Sequence, residues 1–152
     1  MCIRDSLISL DTTRADVLTF EDEQTAPNLV RLASRGTIFE RAVAGSSWTL
    51  PSHVELVTGL APSLHGVHDD QITIDPRHVT LAQHLDARGT RSCGIYTGWF
   101  LAAAYGFDRG FEHYSSAMAP SPLADRALAE SCLLYTSPSP RDATLSRMPS
   151  SA

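Results

Sequence analysis

The chain has 152 residues, enough for one domain with its own core. Hydrophobic residues make up 43% and charged residues 19%, a balance that excludes a disordered protein. The net charge is -5 and the basic residues, all Arg, form no cluster, which excludes an electrostatic footprint for nucleic acid or anionic membrane. No stretch approaches the roughly 18 apolar residues of a membrane span.

In chain order, Leu7-Ile8-Ser9-Leu10 is a short apolar run ending at Asp11, the pattern of a buried parallel strand with a polar residue at its carboxyl end. Pro27 predicts the start of a helix, with Leu29, Leu32 and Ala33 on one face and Gly36 as the stop. Thr37 to Ala44, carrying Ile38, Phe39 and Val43, reads as a second strand. A Gly45-Ser46-Ser47 loop follows, then a helix from Pro51 to about Val57 closed by Gly59. Beyond a loop through Pro62 and Gly66, Val79 to Leu85 begins a further helix with Leu81, Ala82 and Leu85 inward, ended by Gly89. Ser92 to Thr97 is a third strand. Strands alternating with helices predict an α/β fold with a parallel sheet, whose ligands collect at the carboxyl ends of the strands. Asp11 and the Thr49 loop could both sit there.

The two ends differ from this body. The run Ser131-Cys132-Leu133-Leu134-Tyr135-Thr136-Ser137-Pro138-Ser139-Pro140 and the Ser/Pro/Arg tail after it have neither helical nor strand periodicity. That run and the opening Met1-Cys2-Ile3-Arg4-Asp5-Ser6 resemble translated adapter sequence at the ends of assembled metagenomic reads. Residues 1–6 and 131–152 are therefore set apart from 7–130, with the expectation that the tail makes few contacts with the body. On that reading the native protein begins before Leu7 and continues past Glu130, and any signal peptide is missing. The three cysteines, Cys2, Cys93 and Cys132, show no metal-ligand spacing and read as unpaired thiols.

Two places could carry chemistry. Asp11 offers a hard oxygen donor for a cation at the sheet rim, or else it caps the turn through Thr12 and Thr13. Thr49 stands just ahead of a proline-started helix, where backbone N–H groups and the helix dipole favour an anion such as a phosphate or sulfate ester. Its oxygen is a poor nucleophile at neutral pH and needs a base or a metal, which a divalent ion on Asp11 would supply. The alternative is that Thr49 is a helix N-cap. His65 and His68 flank Gly66-Val67 near the expected rim, where they could touch substrate, whereas His78, His84 and His113 read as surface or packing residues. Trp48 could pack beside a substrate or anchor the core.

Seven blocks then recur in register. They are Leu10 to Asp16, Ala26-Pro27-Asn28-Leu29, Leu32 to Gly36, Phe39-Glu40-Arg41-Ala42, Trp48 to His53, Leu56 to Pro62, and His65-Gly66-Val67. In order and spacing they resemble the N-terminal half of the sulfatase family, in the alkaline-phosphatase-like superfamily. Gly106-Phe107-Asp108-Arg109-Gly110-Phe111 is similar to the block after that family's third strand. The resemblance implies a partial three-layer fold, a mainly parallel sheet with helices on both faces, over residues 7–130. It matches Asp11 to the first metal-binding aspartate, Thr49 to the residue that becomes formylglycine, and His53 to the Arg that supports the nucleophile.

Three departures qualify what the resemblance implies. Thr cannot be converted to formylglycine, so none is expected. Thr12 stands where many members have a second metal-binding aspartate, and Thr97 to Leu101 replaces a segment that supplies a Lys and a His to sulfate. The implied protein is a metal-dependent hydrolase of sulfate or phosphate esters with a threonine nucleophile, Asp11 and Thr49 as metal ligands and His53 as a supporting catalytic residue. A phosphoglycerol-transferase-like enzyme and a non-catalytic remnant are the alternatives. The implied cofactor is a divalent cation, calcium foremost, with manganese, magnesium or zinc in its place. The partners are small-molecule, glycan or lipid-headgroup esters. The remaining metal ligands, an Asp with His or Asn, are expected far downstream. Asp11 and Thr49 should then lie within the roughly 5 Å that two oxygen ligands of one ion can span.

Overall fold

A computed structural model describes residues 5–20, 24–117 and 133–136. Contacts divide the chain into two compact units, one of residues 1–11 and 45–152 and one of residues 12–44.

The larger unit is built on a four-stranded parallel sheet: β1 (Leu7–Ser9), β2 (Cys93–Tyr96), β3 (His113–Ser116) and β4 (Leu133–Thr136), in the spatial order β1-β4-β2-β3. This is the α/β class with a parallel sheet that the strand–helix alternation predicts. The strand at Leu133–Thr136 was not foreseen. It pairs Leu134 with Leu7 on one side and Cys93 with Leu133 on the other, so these four residues of the tail are joined to the body through backbone ladders. β3 is also absent from the sequence reading, because His113-Tyr114-Ser115-Ser116 has no apolar alternation; its pairing with β2 makes it a strand.

Helix α2 (Thr49–Thr58) is the buried centre of this unit. Leu50, Pro51, His53, Val54 and Val57 are buried, at the i, i+3, i+4, i+7 spacing of a core-facing stripe. Leu50 and Val54 are wholly inaccessible and join Val67, Ile74, Leu101 and Phe107 in one core. Each such side chain contributes about 1.5–3 kcal/mol relative to exposure. The helix starts two residues before the predicted Pro51, because Pro51 is accepted anywhere in the first turn, where no N–H is required. Gly59, at φ 70°, closes it as expected.

The segment read as a loop from Pro62 contains a one-turn helix, α3 (Pro62–His65), begun by its proline. Helix α4 (Leu81–Asp86) carries a capping box, Thr80 accepting from Gln83 N–H while the Gln83 side chain accepts from Thr80 N–H. Ala82 is buried there, but Leu81 is exposed, so the expected inward face was displaced by one position at the helix start. Short 3₁₀ turns follow β2 at Trp99–Leu101 and Ala103–Tyr105.

The Arg109 guanidinium ties the next loop down by donating to the carbonyls of Gly106, Asp75 and His78, and Thr80 Oγ1 donates to the Arg109 carbonyl. Gly110 lies against α4 at φ 89°, where a Cβ would meet Gln83 N at 2.2 Å and the Ala82 carbonyl carbon at 2.5 Å. Gly94, inside β2, faces the Tyr114 ring, and a Cβ there would lie 2.4 Å from Cδ2. The Tyr114 ring stacks on Tyr96 at 5.0 Å and its hydroxyl donates to the Leu101 carbonyl.

The smaller unit holds helix α1 (Pro27–Ala33), begun by Pro27 as predicted. The expected strand at Thr37–Ala44 does not form; those residues have no regular structure and turn at Glu40-Arg41. Ile38 and Phe39 are adjacent and would point to opposite faces of a strand, and Phe39 and Val43 remain 79% and 92% exposed.

The two close glycine approaches give a testable difference. Gly110→Ala should destabilise by about 3 kcal/mol, since the obstructing atoms are backbone and the conformation is left-handed. Gly94→Ala should cost about 1–3 kcal/mol, because an aromatic ring can tilt away. Urea midpoints at constant m-value measure both; a Gly110→Ala protein as stable as the parent would contradict the packing described.

Candidate active site

Asp11 stands two residues beyond Ser9, the last residue of β1, and α2 begins at Thr49. The Thr49 hydroxyl donates to Asp11 Oδ2 at 2.7 Å, a bond between residues 38 positions apart. Both lie within the larger unit and both are partly buried. The expectation that these two oxygens meet on one rim is met in distance.

The N-cap of α2 is Trp48, and no side chain caps the helix. Thr49 is therefore not the N-cap that formed its alternative reading, and its hydroxyl is turned to the carboxylate. The helix geometry leaves the N–H groups of Thr49 and Leu50 without an intrahelical acceptor, Pro51 has none, and Ser52 N–H is the first to reach back, to Trp48 O. The positive end of a ten-residue helix thus faces the Thr49 oxygen. Trp48 packs against the core, edge-on to Phe100 at 5.5 Å, which is its core-anchoring alternative.

His53 lies one turn further along and is buried. Its Nδ1 donates to the Thr49 carbonyl at 2.9 Å, and its Nε2 lies 2.9 Å from Ser9 Oγ. A carbonyl only accepts, so Nδ1 carries hydrogen, and in the neutral ring Nε2 accepts from the Ser9 hydroxyl. Both nitrogens are thus engaged, neither with the Thr49 hydroxyl. Ser9 escaped the sequence reading, although two-residue alternation from Asp11 along the strand was a signal that could have found it.

Immediately after Asp11 the chain turns at Thr12, whose φ of 55° is left-handed. A β-branched residue there costs roughly 1–2 kcal/mol, a strain of the kind that gathers at functional sites. The position that would hold a second metal-binding aspartate thus carries a strained, exposed threonine.

The remaining histidines lie elsewhere. His65 is buried, its Nδ1 accepting from Val67 N–H at 3.0 Å, and its Nε2 has no hydrogen-bond partner. Burial pushes its imidazole below the ordinary range, with a backbone interaction at Pro51 acting weakly the other way. His68, His84 and His113 are exposed. Cys93 is a free, buried thiol; Cys2 and Cys132 lie outside the described residues.

Asp11 and Thr49 offer two oxygen donors suited to a hard divalent cation. By themselves they do not make a metal site: among the described residues no group of three or more His, Cys, Asp or Glu side chains is arranged to hold a metal ion. Two oxygens do not select among calcium, magnesium, manganese and zinc.

A parallel sheet, a buried helix that begins beside its rim and a hydroxyl bonded to a carboxylate there define an α/β protein with a candidate site at the carboxyl end of β1. The chain belongs to the type I phosphodiesterase / nucleotide pyrophosphatase family, whose profile matches residues 6–116. That family lies within the alkaline-phosphatase-like superfamily expected from the sequence, and it is a phosphodiesterase family; the match gives sulfate-ester specificity no support. Its activity class is phosphoester hydrolysis, its substrates are phosphate esters, and its members generally bind divalent metals. No curated protein matches the chain. No helix among the described residues is long and apolar enough to cross a membrane.

His65 yields a pH prediction. Its folded pKa is depressed, so as pH falls below about 6.5 the unfolded chain takes up a proton that the folded chain does not. Its contribution is fully present above that pH and declines down to the folded value. His65→Asn, whose Oδ1 can accept from Val67 N–H, should show a shallower fall in urea midpoint between pH 7 and 5 than the parent. Parallel profiles would contradict the assignment.

Proposed function

We propose that these residues form the N-terminal part of a metal-dependent phosphodiester hydrolase in which Thr49 is the nucleophile and Asp11 a metal ligand. The observation that carries the reading is the 2.7 Å contact between Thr49 Oγ1 and Asp11 Oδ2 at the N-terminus of α2. It puts the hydroxyl where a cation on Asp11 would reach both oxygens and where helix N–H groups favour a phosphoryl oxygen. The family supports phosphate over sulfate. Thr in place of Cys or Ser removes the formylglycine route, since oxidation at its branched Cβ would leave a ketone.

A diester phosphoryl group is held by the N–H groups of Thr49 and Leu50, which lie at the positive end of α2. The Thr49 hydroxyl proton leaves along its hydrogen bond toward Asp11 Oδ2 and ends on the departing alcohol through solvent. The Oγ1–P bond forms as the P–O bond to that alcohol breaks. Water then cleaves the Oγ1–P bond, releasing a phosphate monoester and restoring the threonine. A divalent cation on Asp11 and Thr49 would lower the pKa of the hydroxyl and offset the anionic charge of the diester. His53, bonded to the Thr49 carbonyl, supports the turn that carries the nucleophile.

The test is turnover of an aryl phosphate diester and an aryl sulfate by the full-length protein. Thr49→Ala should remove most of the rate, by as much as ~10⁶-fold, while Thr49→Ser keeps part of it. A chelator should abolish activity, and re-addition of zinc, manganese, magnesium or calcium in turn identifies the ion. An alanine variant as fast as the parent, or a preference for the sulfate, would overturn the reading.

A further inference from the structure

We infer that Ser9 is a positioning residue for the Thr49 nucleophile, acting through His53, an inference that rests on the function proposed above. Two hydrogen bonds join the end of β1 to the first turns of α2. One runs from Thr49 Oγ1 to Asp11 Oδ2, the other between Ser9 Oγ and His53 Nε2. On the strand side the residues are two apart, a rise of about 6.6 Å; on the helix side they are four apart, a rise of about 6 Å. The spacings match closely enough for both rungs to form without bending either element.

The second rung also acts on the nucleophile's own peptide. His53 Nδ1 donates to the Thr49 carbonyl, so a single imidazole clamps the main chain at Thr49 on one nitrogen and β1 on the other. The ring is 5% exposed and the packing around α2 holds it, so its two bonds fix a direction as well as a distance. Without the Ser9 hydroxyl one of these two rungs is lost, and α2 gains freedom to turn about the other. Rotation of the first turn moves Thr49 Oγ1 relative to Asp11 and to any phosphorus in line with it. Misplacement of a reacting atom by about 1 Å can cost ~10²-fold in rate. Substrate contacts are untouched, so the effect falls on kcat.

Thr and Val have the same shape, suit a strand equally, and differ in the hydroxyl. Ser9→Thr and Ser9→Val are therefore compared in the full-length protein, with an aryl phosphate diester as probe. The Val variant should have a kcat roughly tenfold to ~10²-fold below the Thr variant, with KM within about twofold. Equal kcat values, or a difference confined to KM, would overturn the inference. The ¹⁵N resonances of the His53 imidazole provide the readout that does not need turnover. The Nε2 resonance should differ between the two variants while Nδ1 remains protonated in both. Identical imidazole spectra would overturn the inference on their own. An inactive parent whose imidazole still responds as expected would instead count against the proposed function and leave the Ser9–His53 contact standing.

Discussion

The 2.7 Å hydrogen bond from Thr49 to Asp11 is the constraint on which the proposed chemistry depends. Its two ends come from different kinds of structure. Asp11 is delivered by a short strand whose position is set by backbone pairing with β4, and Thr49 by a helix whose position is set by burial of Leu50, Val54 and Val57. Neither placement is local. The carboxylate and the hydroxyl meet because a sheet ladder and an apolar stripe are both satisfied at once, and because the Ser9–His53 contact runs alongside.

The electrostatics of the spot follow from that geometry. An uncapped helix N-terminus presents N–H groups and a partial positive charge, while the carboxylate offers a cation its first oxygen. On the proposed reading, an anionic diester and a divalent ion would be drawn to adjacent positions by opposite charges already in place. The strained backbone at Thr12, next to Asp11, is the sort of local cost that packing elsewhere must offset. The apolar contacts around α2 and the three carbonyl bonds of Arg109 are the stabilising features that lie nearest in kind.

The Arg109 and Gly110 contacts give the Gly106 to Phe111 block a packing role. Arg109 holds the loop by its backbone carbonyl partners, and Gly110 lets it lie directly on α4, where any Cβ would strike main-chain atoms.

Local chemistry was enough to read several elements directly. An apolar run ending in Asp11, prolines that open α1 and lie in the first turn of α2, and Gly59 as a left-handed stop all follow from rules that act within a few residues. The elements that were missed are those whose cause is remote. His113-Tyr114-Ser115-Ser116 is a strand because β2 pairs with it, and Leu133–Thr136 is one because it lies between β1 and β2. Conversely, Thr37 to Ala44 has strand-forming residues but no ladder partner among the described residues, and remains irregular. The sequence by itself determined the α/β class, the superfamily and the two residues that meet at the rim, while the family expected from it, the sulfatases, gave way to the phosphodiesterases. Only the tertiary structure decided that His53 turns both nitrogens to Ser9 and the Thr49 carbonyl, since a side chain's hydrogen-bond partners depend on which distant segment packing brings within 3 Å of it.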